Sequence, residues 1–217
     1  MGLLWHKEMD VKYFEEPSYV HDHTDEVLEL VSRRVARGDI KRVVVASSTG
    51  RSALSAARAL RGNGVELIVV SDRAGVSFAP DELYKEWCER LKAEGVSKYR
   101  SGLFWRPEAV DKLRALGVNK ILVATELFRG INIQGGLNIN FVIAEVLYRL
   151  SIGVKVCVEI TMMACDAGYI EPGEEVIAAA GSGTGLDSAI VISAAHSDEM
   201  FDKERGFRIK EIICKPR

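Results

Sequence analysis

The chain has 217 residues, 47% of them hydrophobic, and 29 Lys and Arg stand against 31 Asp and Glu for a net charge of −2. This is apolar material for a sizeable core, and no basic stripe invites nucleic acid or an anionic membrane as a partner. The apolar segments are interrupted by charge before they reach bilayer-spanning length. Residues 1–20 read as a leader, with Val11 to Phe14 as a short edge strand ended by Glu16-Pro17. Lys7, Glu8 and Asp10 leave no room there for the apolar stretch of a signal peptide. His21-Asp22-His23 follows; two histidines two apart can ligate a metal, but no third ligand cluster is in view, and a solvated lead-in with Thr24 as helix cap is the preferred reading. Residues 25–37 predict an amphipathic helix, with Val27, Leu28, Val31 and Val35 on one stripe and Gly38 as the stop.

The stretch from Val43 to Ala53 carries the most information. Val43 to Ala46 is a continuous apolar run, as expected of a strand covered on both faces of a parallel sheet. Ser47, Ser48, Thr49 and Gly50 form a turn of small residues, and a helix is predicted from Arg51 to Leu60. The first turn of a helix has unpaired N–H groups and partial positive charge. Hydroxyls from Ser47, Ser48, Thr49 and Ser52, with the Arg51 guanidinium, add the donors and the cation that a phosphate monoester requires. Simple helix capping by Ser48 or Thr49 would select the same residues.

Residues 65–70 predict a second buried strand, ending in a polar turn where Ser71, Arg73 and Gly75 are further site candidates. An ordinary polar loop would have the same composition. Helices are expected over 82–93 and, with Pro107 in the first turn, over 109–116; residues 96–103 are ambiguous. A third strand over 120–124 opens into a long loop to Gly136, carrying Arg129, Asn132 and Gln134. Residues 137–150 read as an apolar helix, buried over much of its surface or packed across a homo-oligomer interface. Residues 154–165 read as the longest strand, with Glu159 as a carboxylate in apolar surroundings, either paired structurally or tuned for a site. Met162 and Met163 suit a flat aromatic ligand or plain core filling.

The last part changes character. A turn at Glu171-Pro172-Gly173, a strand over 176–180, a glycine turn (Gly181, Ser182, Gly183, Thr184, Gly185) and β-like runs over 187–195 and 207–214 follow in order. A dinucleotide fingerprint requires a helix directly after its glycines, and none is predicted here. The glycines let backbone N–H groups approach a ligand, or simply form a tight hairpin. Asp187 and Ser188 are placed to meet sugar-like hydroxyls. Cys88, Cys157, Cys165 and Cys214 form no CxxC pair and read as reduced core thiols of a cytoplasmic protein.

The turn Ser47-Ser48-Thr49-Gly50-Arg51-Ser52-Ala53, with its strand and helix, resembles the phosphate loop of the pyruvate kinase C-terminal α/β domain. The run from Gly173 to Ile177 and on through Gly181 to Gly185 resembles that domain's later strand and glycine loop. A closer resemblance, over nearly the whole chain, is to the stand-alone pyruvate kinase α/β-domain-like proteins. It is carried by Tyr13 to Pro17, Lys155 to Ile160, Met163-Ala164, Asp166-Ala167-Gly168, Glu174 to Ala178, and a tail with Phe201, Ile212 and Pro216. The resemblance implies a single domain over 1–217, a three-layer α/β sandwich with a mostly parallel central sheet and a β-rich C-terminal part. It also implies a small phosphorylated ligand, FMN in some members. Its phosphate would sit on Ser47, Ser48, Thr49, Gly50, Arg51 and Ser52, and its ribityl chain by Gly181, Ser182, Gly183, Gly185 and Asp187. The ring would lie by Thr161, Met162 and Ala164 or by Ser71 and Gly75. Position 51 is not uniformly arginine in such loops. Pyruvate kinase activity is not implied, because that chemistry lives on a separate barrel of about 250 residues. Two readings stand: a flavin-dependent protein whose substrate is unnamed, and a non-catalytic sensor of a sugar phosphate or nucleotide. No Ser/His/acid set, metal-binding carboxylate cluster or Walker motif is legible, and His196 alone identifies no catalytic site.

Overall fold

Short strands of mostly apolar residues, many of them β-branched, form the centre of this fold. A computed structural model describes residues 10–74, 89, 92–93, 102–129 and 136–217. Gly75, Cys88, Asn132, Gln134 and most of the segments 82–93 and 96–103 lie outside the described residues. The strands are β1 (Lys12–Phe14), β2 (Arg42–Ala46), β3 (Glu66–Asp72), β4 (Lys120–Ala124), β5 (Glu175–Ala180), β6 (Ser188–Ser193) and β7 (Arg208–Pro216). They make one sheet in the order β1-β7-β6-β5-β2-β3-β4. β5, β2, β3 and β4 run parallel, β6 is antiparallel to both its neighbours, and β1 joins the edge parallel to β7.

The described helices are α1 (Thr24–Val35), α2 (Arg51–Ala59), α3 (Pro107–Ala115), α4 (Ile139–Tyr148) and α5 (Ile152–Asp166). The pleat sends Val43 and Val45 to one face, into a core shared with α1, α2 and Leu113 of α3. Val44 goes to the other face, against Val154, Cys157 and Val158 of α5. Both faces are therefore covered, which is why β2 reads as a solid apolar run rather than an alternating one. The architecture is three-layered α/β, with a mostly parallel sheet and a strand-rich C-terminal part. Among the described residues no helix is long and apolar enough to cross a membrane.

Four local expectations are corrected. Residues 154–165 are the helix α5 and not a strand. Ser151 caps it by accepting from the N–H of Val154 at 3.0 Å, and all but three of its fifteen residues are buried. A helix buried nearly all round loses its 3.6-residue signal, so its β-branched residues imitate an alternating strand. The helix expected over 137–150 is formed, but only Ala144 within α4 is buried. α5 takes the sheet and α4 packs against α5, leaving Ile139, Phe141 and Val146 more than half exposed. The N-cap of α1 is His23, and the Thr24 hydroxyl turns to the glycine loop instead. The N-cap of α2 is Gly50 rather than Ser48 or Thr49, and its first turn is held by Ser47 Oγ, which accepts from Ala53 N–H at 3.3 Å, with a longer contact of 3.5 Å from Arg51 N–H to Thr49 Oγ.

The chain leaves β2 through α2 towards β3, yet returns from β4 through α4 and α5 to the opposite side of β2. The β2–β5 boundary is thus a topological switch point. Ligands in open α/β sheets bind outside the carboxyl ends of such strands, where diverging connections leave a crevice.

Candidate functional site

A cleft of about 1310 Å³ opens at this edge. Its rim begins with the turn after β2. Ser47 is buried and committed to the fold: its N–H donates to Val70 O at 2.9 Å. Its Oγ accepts from Gly50 N–H at 3.1 Å and Ala53 N–H at 3.3 Å. Ser48, Thr49, Arg51 and Ser52 also line the cleft. Gly50 faces the other way. It has φ +91°, and a Cβ there would lie 2.8 Å from Ala109 Cβ of α3. Glycine is required at position 50 for helix packing, not for ligand approach.

The Arg51 guanidinium is paired with the Asp22 carboxylate. Asp22 also accepts from Thr24 Oγ at 2.6 Å, and Thr24 Oγ accepts from Leu186 N–H at 3.0 Å. Asp22 therefore joins the turn after β2 to the glycine turn after β5. Partial burial pushes its carboxyl up, but the hydrogen bonds from Thr24 and Arg51 outweigh that and hold it below the ordinary aspartate value. The sequence placed Asp22 in a solvated lead-in. His23, from the same stretch, stacks on Phe14 and uses both ring nitrogens within the fold, on Glu26 and on the carbonyl of Glu16.

Gly181, Gly183, Thr184 and Gly185 form the second rim. A Cβ on Gly181 would fall 2.3 Å from the Gly185 carbonyl, so the loop closes on itself only without a side chain there. Ser182 and Asp187 stand behind the rim. Asp187 is fully buried and accepts from Ser18 N–H at 2.9 Å, Ser182 N–H at 3.0 Å and Ser188 Oγ at 2.8 Å. Its carboxylate holds the turn against the N-terminal segment rather than pointing into the cleft.

One wall is acidic. Ser71 Oγ donates to Asp72 at 3.2 Å and accepts from Leu103 N–H at 3.0 Å. Burial pushes the Asp72 carboxyl up and the Glu126 charge adds to this; hydrogen bonds from Ser48 and Ser71 pull the other way without cancelling it. Glu126 pairs with Arg129 at 3.1 Å through one oxygen. Its other oxygen is buried without a hydrogen-bond partner among the described residues. A carboxyl whose folded pKa is raised binds its proton more tightly folded than unfolded. Stability therefore falls as pH rises from the unfolded value to the folded one, and the penalty is complete above it. Asp72→Asn is accordingly expected to raise the melting temperature at neutral pH. The gain should vanish below the ordinary aspartate range, which melts across pH 3 to 8 would read.

The other wall is α5. Ile152, Lys155, Val156, Glu159, Ile160 and Met163 line the cleft as one helical stripe. Thr161, Met162 and Ala164 are fully buried away from it, and Thr161 Oγ donates to the Cys157 carbonyl at 2.8 Å within the helix. Their separation from the cleft follows from α5 being a helix, so a ring in this cleft would meet Ile160 and Met163 instead. Lys155 Nζ donates to Glu159 Oε2 at 2.6 Å, and Glu159 Oε1 accepts from Phe128 N–H at 2.8 Å. The same ammonium lies 5.3 Å from the Phe128 ring centre and 5.7 Å from that of Tyr148.

The structure thus gathers Ser47, Ser48, Thr49, Arg51, Ser52, Ser71, Gly181, Gly183 and Gly185 around one cleft. It adds Lys155, Phe128, Tyr148 and Glu126, which the sequence did not single out as site residues. Elsewhere, Cys165 lies 3.8 Å from His196, but burial, with a lesser contribution from Asp166, pushes its thiol up to about 11. That is the opposite of an activated nucleophile. No family model matches the chain. Fold and cleft together define an α/β protein with a mixed-charge cleft at the switch point of its sheet.

Proposed function

We propose that this chain binds a phosphorylated small molecule in the switch-point cleft, with FMN as the first candidate. The observation that carries this reading is the convergence of two small-residue turns, Ser47 to Gly50 and Gly181 to Gly185, on one cleft. They belong to adjacent parallel strands, and the first opens a helix whose N-terminus favours an anion. The resemblance to pyruvate kinase α/β-domain-like proteins points to the same pair of turns. Ser48 and Thr49 would take the phosphate, and the glycine turn would take the ribityl chain. Phe128, Tyr148, Ile160 and Met163 offer the flat, apolar and polarisable surface that an isoalloxazine ring suits. FMN would supply hydride and electron chemistry, while the protein's part is to bind, orient and shield it.

A second reading, a regulatory module, is favoured by one contact. Arg51 is held by Asp22, which is tied through Thr24 to the glycine turn. An anion that draws Arg51 away would loosen Asp22 and the start of α1, giving binding a mechanical readout.

The test is an absorption spectrum of purified protein after incubation with FMN and gel filtration. Flavin should stay with the wild type and be lost from Ser48→Glu, which puts a carboxylate at a half-buried position facing the phosphate. Gly50→Asp is unsuitable because its side chain would collide with Ala109. Retention of flavin by Ser48→Glu would move the phosphate elsewhere. If the wild type retains no flavin, thermal shift with ribose 5-phosphate, sugar bisphosphates and nucleotides decides for the regulatory reading.

A further inference from the structure

The cation expected to meet the ligand was Arg51, yet its guanidinium is engaged by Asp22. A different cation lines the same cleft. Lys155 is 7% exposed, and its one hydrogen bond among the described residues goes to Glu159. An ammonium has three N–H donors, and burial makes an unfilled one unfavourable. Two aromatic faces, Phe128 and Tyr148, offer it weaker attraction and no acceptor oxygen. Glu159 divides its two oxygens between Lys155 and the N–H of Phe128. The carboxylate therefore fixes the lysine and the loop after β4 together. All four side chains line the cleft. The result is a fixed, largely dehydrated positive charge with donors to spare, facing a space large enough for a ligand.

Building on the binding reading above, we infer that Lys155 is the specificity-determining cation of this cleft, donating to a negatively charged or carbonyl oxygen of the ligand. Its ammonium is placed before the ligand arrives, so binding orders nothing at that contact. Arg51 keeps the structural task of joining the first turn to Asp22. The acceptor oxygen belongs either to the phosphate or to the rest of the molecule, and the probes separate the two.

The experiment measures affinities of FMN, riboflavin and glycerol 1-phosphate for wild type, Lys155→Met and Arg51→Met by calorimetry. Lys155→Met is expected to weaken FMN at least tenfold, and Arg51→Met by less. An equal loss for glycerol 1-phosphate assigns Lys155 to the phosphate. A loss for FMN and riboflavin with glycerol 1-phosphate unchanged assigns it to the ring end. Because Lys155→Met leaves Glu159 without its countercharge, Lys155→Met/Glu159→Gln is measured in parallel and carries the test if the single variant does not fold. The inference is overturned if these Lys155 variants bind every probe within twofold of wild type, or if Arg51→Met is the more damaging. A wild type that binds none of the probes overturns the binding reading itself, and this inference with it.

Discussion

Asp187→Ala is expected to lower the melting temperature by on the order of 10 °C and to abolish ligand retention in the same sample. Asp187 is fully buried and receives three hydrogen bonds, two of them from backbone N–H groups of Ser18 and Ser182. Truncation strands donors that water cannot reach, at about 1–3 kcal/mol for each unsatisfied group. Ser182 N–H keeps a second acceptor in Ser18 Oγ at 2.9 Å, but Ser18 N–H is left with no acceptor among these contacts. The first turn of α5 is also seated here, since a Cβ on Gly153 would fall 2.3 Å from Asp187 Oδ1. The N-terminal segment, the glycine turn and α5 would therefore loosen together. Asp187→Asn keeps one acceptor oxygen and should retain part of both properties. A normal melting temperature for Asp187→Ala, read by circular dichroism, would show that the carboxylate is not what holds this corner.

The central strands were legible because their residues admit few alternatives. Val43 to Ala46 and Val65 to Val70 are apolar and rich in β-branched residues, lack charge except at Glu66, and each run ends at a serine. The turn after β2 was legible for the same reason. Glycine at 50 and 181 was visible, but its cause was not: the approach of Ala109 and of the Gly185 carbonyl is a tertiary fact. α5 was misread because burial on nearly every side removes the polar face from which helical period is read. A signal was present all the same. Lys155 and Glu159 are four apart, which puts them on one face of a helix, and on one face of a strand as well. Ser151, a strong N-cap residue just before the run, favours the helix. Asp22 was passed over because Arg51, and Leu186, which it reaches only through the Thr24 hydroxyl, are distant in sequence. The exposed side of α4 shows the reverse limit: apolar composition predicts burial, and only topology reveals that α5 has already taken the sheet.

Glu159→Ala is the second large effect expected, and its pattern separates a purely structural ion pair from one that serves the cleft. Removing this carboxylate strands a buried ammonium and the N–H of Phe128 together. Breaking one side of a buried pair destabilises proteins by about 3–5 kcal/mol, most of it from the charge left behind. For a chain of this size that is again on the order of 10 °C in melting temperature. Lys155→Met/Glu159→Ala should lose less than the sum of its single variants, because no uncompensated charge remains. The ligand adds a sharper criterion. An anionic oxygen bound beside Lys155 would restore the missing countercharge, so saturating ligand should raise the melting temperature of Glu159→Ala more than that of wild type. Equal ligand-induced shifts would make the pair structural only, with Lys155 turned to Glu159 and not to the ligand. A larger shift in the variant would mean that Glu159 and the ligand share the same ammonium, with the carboxylate holding it in place while the cleft is empty.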